Sequence, residues 1–119
     1  MKTAADLVAA AKSEINEVSV EQVKAGLDQG EDFLLLDTRS DMEWTAGHLP
    51  NATHADRGRL EFIITQLAPE LGTPIVIYCR SGGRSALAAQ TLQNMGYTMV
   101  ASMAGGYTAW QEYGFEIQE

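Results

Sequence analysis

The residues best placed to do chemistry lie in one short run, Cys79-Arg80-Ser81-Gly82-Gly83-Arg84. Cys79 is the one cysteine of the chain, so it has no internal disulfide partner and its sulfur is free to react. The run follows Ile75-Val76-Ile77-Tyr78, a β-branched strand pattern introduced by Thr73-Pro74, and precedes an alanine-rich stretch that reads as a helix from Ser85 to Met95. Three influences therefore converge on the sulfur. The Gly82-Gly83 pair lets successive N–H groups turn inward as an anion-binding nest. The following helix adds its unpaired first-turn N–H groups and the positive end of its dipole. Arg80 and Arg84 add full charges. All three favour thiolate over thiol, and the thiolate is the nucleophile. The same cradle suits a persulfide anion or a small sulfur-bearing oxyanion. The plainer reading, a buried small hydrophobe, describes most free cysteines, but the polar, glycine-rich sequel argues against it.

The remaining polar candidates read as structural. Asp37 ends an apolar run and is expected to orient neighbouring backbone or an arginine. Arg39 and Glu43 stand four apart and are expected to pair with each other. Arg84 either closes on an anion or pairs with a carboxylate at the helix start, while Arg80 projects to the pocket rim. His48 sits in the turn Gly47-His48-Leu49-Pro50-Asn51 and bonds locally, and His54 lies at a strand end. Two histidines and one cysteine at scattered spacing make a poor metal site, and no cofactor is expected. Trp44 and Trp110 are expected in the core. Arg57 and Arg59 head a surface helix, from which either reaches toward the pocket mouth.

These residues need a frame. Leu7, Val8, Ala11 and Ile15 fall on one stripe of a helix over residues 4–14. Ser19 and Gln22 have capping-box spacing, with Val18 and Val23 at the staple positions, so a second helix starts there and stops near Gly30. Phe33-Leu34-Leu35-Leu36 is an unbroken apolar run, as expected of a strand covered on both faces. Ser40 and Glu43 open a short helix carrying Trp44. Ala52 to His54 adds a short strand, residues 59–68 are helical in pattern, Tyr97 to Ala101 reads as a strand, and Tyr107 to Tyr113 as a last helix after Gly105-Gly106. Alternating strands and helices predict an α/β domain with a mostly parallel sheet. Ligands of such sheets bind beyond the carboxyl ends of the strands, where Cys79 and Asp37 both stand.

Composition narrows the partners. With 119 residues and 45% hydrophobic content the chain fits a single domain with one core. A net charge of −8 repels nucleic acid and anionic membrane alike, so neither is expected as a partner. No apolar run is long enough for a bilayer, and Met1 to Lys12 lacks the apolar core of a secretory signal. One free cysteine fits a reducing compartment, and the cytoplasm is the expected location.

Four segments resemble the rhodanese-type single-domain sulfurtransferases. Cys79 to Ser85 looks like the active-site loop of that family. Leu35-Leu36-Asp37-Thr38-Arg39 with Glu43 is similar to its first signature, Gly47 to Ala52 to its second, and Gly105-Gly106-Tyr107-Thr108-Ala109-Trp110 to its closing one. Thr38 stands where valine is usual, and Leu49 where isoleucine is. The resemblance implies a rhodanese-like domain over residues 15–119, with about five strands flanked by helices on both faces, preceded by a helical extension over residues 1–14. It further implies Cys79 as nucleophile, with Arg80, Ser81, Gly82, Gly83, Arg84 and Ser85 binding substrate. In the implied cycle Cys79 takes a sulfane sulfur from a donor such as thiosulfate. A thiophilic acceptor (cyanide, a thiol or a protein) then removes it. That acceptor must be external, since the chain has no second cysteine.

Two other classes compete. Cysteine-loop phosphatases and arsenate reductases also use a thiolate in a nest, but phosphatases that share this fold resemble Cys-x5-Arg. Cys79 to Arg84 is one residue shorter, a tighter cradle suited to a lone sulfur, and no carboxylate lies in the loop to act as general acid. A non-catalytic binding module of the same fold is disfavoured because such members typically lack the cysteine.

Overall fold

The computed structural model describes the whole chain, Met1–Glu119. Eleven elements follow in the order α1 (Ala4–Lys12), β1 (Asn16–Val18), α2 (Val20–Asp28), β2 (Leu34–Asp37), α3 (Asp41–Ala46), β3 (Thr53–His54), α4 (Leu60–Leu67), β4 (Ile75–Tyr78), α5 (Gly83–Asn94), β5 (Val100–Met103) and α6 (Gly106–Glu112). The strands form one sheet in the order β1-β5-β4-β2-β3, parallel at every pairing. No helix is long and apolar enough to cross a membrane.

Side chains alternate across the sheet, which is why its central strands read as continuous apolar runs. Leu36, Ile75, Ile77 and Val100 join Leu60 and Ile64 of α4 and Ala88, Ala89 and Leu92 of α5 in one buried cluster. Leu35, Tyr78 and Met103 point the other way, into a cluster with Val20 and Val23 of α2 and Trp110 of α6. Helices thus cover both faces. The predicted capping boxes form: Ser19 Oγ accepts from Gln22 N (3.0 Å), and Ser19 N donates to Gln22 Oε1 (2.8 Å). Ser40 and Glu43 repeat the arrangement at the start of α3.

The structure corrects several expectations. Asn16-Glu17-Val18 is a strand, unrecognised in the sequence because its pairing with Ala101 to Met103, and not an apolar run, makes it one. The last strand spans Val100–Met103 and not 97–101. Tyr97 instead turns inward after Gly96, and its hydroxyl donates to Ala68 O at 2.6 Å. The helix after the loop begins at Gly83, two residues earlier than Ser85. Gly82 takes φ +113° there and Ala86 N donates to Gly82 O at 3.1 Å, so the first turn already includes Arg84. Trp44 lies outside the core: half-buried, it stacks on the imidazole of His48 at 3.6 Å and on that of His54 at 5.1 Å. Trp110 is fully buried, as expected.

Candidate active site

Cys79 follows the last residue of β4, at the carboxyl end of the sheet, with 1% of its surface exposed. The chain then curls through Arg80 and Ser81, both exposed, and returns inward at buried Gly82. Gly82 N donates to Cys79 Sγ at 3.1 Å, and Sγ lies 3.5 Å from Ser85 Oγ. Burial pushes the thiol up. The Ser85 hydroxyl and the N–H groups of Ser85, Gly82 and Ser81 oppose it and leave Cys79 below the ordinary cysteine value. The expected nest is therefore present, and the N–H groups of the loop and of the first turn of α5, not guanidinium groups, hold the sulfur.

Ser102, which carries no motif in the sequence, supports this arrangement from β5. Its hydroxyl is fully buried and lies 2.8 Å from Ser85 Oγ, its one side-chain partner. With the sulfur anionic, Ser102 donates to Ser85 and Ser85 donates to Sγ, a short chain ending on the charge. A lone serine in a strand gives no signal by itself; only the register that sets β5 beneath α5 reveals it. Ser85→Ala is expected to raise the midpoint of Cys79 alkylation toward the free-thiol value near ~8.5. Iodoacetamide rates followed against pH measure it, and an unmoved midpoint would assign the thiolate wholly to backbone donors.

Arg84 takes the carboxylate-pairing alternative. Its guanidinium donates to both carboxylate oxygens of Glu43, at 2.8 and 3.1 Å, tying the start of α5 to α3. Glu43 is therefore not paired with Arg39, as its spacing suggests. The Arg84 guanidinium holds the Glu43 carboxyl down from an ordinary 4.5 to about 2. A depressed carboxylate stabilises the fold above its unfolded value and loses that contribution as pH falls, here between 4.5 and about 2. Glu43→Gln is expected to lower the melting temperature near neutral pH, with the difference from wild type shrinking as the pH approaches 2–3. Melting curves across that range check it; a pH-independent difference would refute the ion-pair origin.

Arg39 belongs to Asp37 instead. Asp37 is fully buried and accepts from Arg39 N, Nε and Nη2 (2.7 to 3.0 Å) and from the Tyr78 hydroxyl (2.6 Å). Arg39 also donates to Gly47 O at 2.6 Å and lies 4.0 Å from the centre of the Tyr107 ring. With every oxygen of Asp37 engaged, it orients backbone and arginine, as its sequence position suggests. His48 bonds locally to Leu49 O, and His54 Nε2 lies 2.7 Å from Arg39 O. Arg57 is held by Glu61 and Thr91, and Arg59 by Asp56 and Asp41, as residues at the head of a surface helix, and neither lines the cleft between α3 and α6.

Two helices close the site. Tyr107 N donates to Cys79 O at 2.8 Å and Thr108 N to Arg80 O at 3.0 Å, so the first turn of α6 grips the loop backbone. Between α3 and α6 runs a cleft of about 490 Å³, lined by Glu43, Arg80, Tyr107, Thr108 and Gln111. A second cleft of about 500 Å³, beside Gly26, Phe33 and Pro74, lies toward the amino ends of β2 and β4, away from Cys79.

Fold and site together define a parallel α/β domain with a buried cysteine sulfur held in a loop of backbone donors. The chain belongs to the family described as "Rhodanese-like domain", matched over residues 19–113. A sulfurtransferase from Allochromatium vinosum is 33% identical over 103 residues, which cover 87% of this chain and 94% of that protein. A Rhodopseudomonas palustris structure described as a protein of unknown function and possible tyrosine phosphatase superimposes with a TM-score of 0.90. It is 32% identical, over 99% of this chain and 96% of that one. The polysulfide-sulfur transferase homodimer of Wolinella succinogenes gives 0.78 at 28% identity, over 94% of this chain and 84% of that one.

Proposed function

We propose that the chain is a sulfurtransferase that carries sulfane sulfur on Cys79, taking it from a small anionic donor of the thiosulfate or polysulfide type. The observation that carries this reading is the surroundings of Sγ: a buried sulfur served by the N–H of Gly82 and the hydroxyl of Ser85, with Arg84, which closes the loop, occupied by Glu43. Such a pocket stabilises a one-atom anionic extension of cysteine. With thiosulfate, the Cys79 thiolate attacks the outer sulfur, the new S–S bond forms as the old one breaks, and sulfite leaves with the bonding pair. The product is the persulfide anion, with charge conserved. Cyanide or an external thiolate then attacks the terminal sulfur, giving thiocyanate or a new persulfide and returning Cys79 as thiolate. The 490 Å³ cleft beside Arg80 leaves room for an acceptor far larger than cyanide. A lone cysteine suits a reducing compartment, and the cytoplasm is the location this function would have.

Phosphate-ester hydrolysis is the second reading, favoured by the description of the Rhodopseudomonas palustris structure. Three features weigh against it. Four residues separate Cys79 from Arg84, Arg84 is bound to Glu43, and Asp37 is sealed by Arg39 and Tyr78 and is thus no general acid. Paired assays separate the two: thiocyanate formation from thiosulfate and cyanide, and nitrophenol release from p-nitrophenyl phosphate. Sulfur transfer without ester turnover is expected; the converse would overturn the assignment.

A further inference from the structure

The family match begins at residue 19, after α1, and the chemistry above has made no use of that helix. Yet α1 is no loose tail. It lies along α5: Ala11 is fully buried, and a Cβ built on Gly83 would stand 3.6 Å from Val8 Cγ2. Glu14, just beyond the helix, accepts from Gln90 Nε2 at 3.0 Å. This packing sets the middle of α1, at Val8, over the first turn of α5, and Lys12 stands one turn further along the same face of α1. A Cβ built on Gly82 would lie 4.0 Å from Lys12 Nζ. Gly82 is the residue whose N–H meets Sγ at 3.1 Å. Ordinary bond lengths then put the ammonium within about 10 Å of the sulfur.

The distribution of charge makes this placement informative. Of eight basic residues, Lys24, Arg39, Arg57, Arg59 and Arg84 are each bound to a carboxylate. Lys2 stands among the exposed residues that precede α1. Lys12 and Arg80 have no carboxylate partner, and both border the loop. In a chain of net charge −8, an anion approaching the backbone donors around Cys79 is attracted by side chains only where cations are uncompensated. We propose that Lys12 is a specificity-determining residue for anionic sulfur donors: α1 brings its free ammonium to the loop to offset the acidic surface. The proposal takes its donor class from the persulfide reading, but the local potential it invokes is measurable without turnover.

The measurement is the ratio of Cys79 alkylation rates with iodoacetate, an anion, and iodoacetamide, which is neutral. Both react with the same thiolate, so the ratio reports the potential near the sulfur and not the thiol's acidity. In Lys12→Gln this ratio should fall about two- to fivefold at low ionic strength. Lys12→Arg should restore it. Lys24→Gln makes the same change in net charge on α2 and should leave it unmoved. Added salt should bring wild type down toward the Lys12→Gln value. Lys12 also suits the negative end of the α1 dipole. If that were its whole role, Lys12→Gln would lower the melting temperature with the ratio unchanged, which would overturn the proposal. An equal drop in Lys24→Gln would overturn it too. If the ratio responds to Lys12 but no variant forms persulfide, the persulfide reading fails and the electrostatic role stands. If persulfide forms while the ratio ignores Lys12, the persulfide reading stands and the electrostatic role fails.

Discussion

Cys79→Ser is expected to abolish sulfur transfer while leaving the fold intact. Intact-mass spectrometry after exposure to thiosulfate should show one added sulfur atom on the wild-type chain and none on the variant. The expectation is absolute because no other side chain of the 119 can hold sulfane sulfur. Serine keeps an acceptor for Gly82 N, so the loop retains its hydrogen bonding in a place with 1% exposure. Its hydroxyl remains protonated at any pH where the cysteine is a thiolate, and the nucleophile is lost. Cys79→Ala gives the same chemical result but leaves Gly82 N without its sulfur. Sulfur added to either variant would place the carrier elsewhere and sink the assignment.

Gly106→Ala is expected to be the most damaging single-methyl change near the site. A Cβ there would clash with Cys79 O and lie 2.7 Å from both C and O of Arg80. These are backbone atoms, unable to move aside without moving the loop itself. Gly106 also has φ +57°, which non-glycine residues adopt at about 1–2 kcal/mol. Overpacking adds about 1–3 kcal/mol, so a total of roughly 2–5 kcal/mol is a large part of a small domain's stability. The melting temperature should fall by about 10 °C or more. Gly72→Ala, at a position with ordinary φ and nothing within 4 Å, is the neutral control. A Gly106→Ala variant melting with the control would show that α6 does not grip the loop as tightly as the two hydrogen bonds imply.

The parts of this molecule that were legible in its sequence are those whose cause is local. Leu34 to Asp37 and Ile75 to Tyr78 announce themselves because a strand covered on both faces must be apolar throughout. The boxes at Ser19 and Ser40 are contacts three residues long. The nest around Cys79 follows from two glycines at the start of a helix. What stayed hidden depends on distant pairing. Asn16-Glu17-Val18 has no strand pattern of its own, and Ser102 gains its meaning only when the register of β5 sets it beneath Ser85. Glu43 has an arginine four residues before it and bonds instead to one 41 residues away. Asp37, two residues from Arg39, competes successfully for that nearer arginine, because full burial leaves a charged carboxylate no alternative to a bidentate partner.

The solitude of Cys79 gives the protein a built-in census of its own competence. On the persulfide reading proposed above, every thiol of this chain is an active centre, so titration of the unfolded protein with a chromogenic disulfide counts the centres whose sulfur is still reactive. Titration of the native protein counts those a reagent can reach through the nearly closed loop. The gap between the two numbers is the shielded fraction. The shortfall of the first from the protein concentration is the fraction spent by oxidation. A preparation can therefore be graded for readiness before any substrate is added, with no mutant or label required.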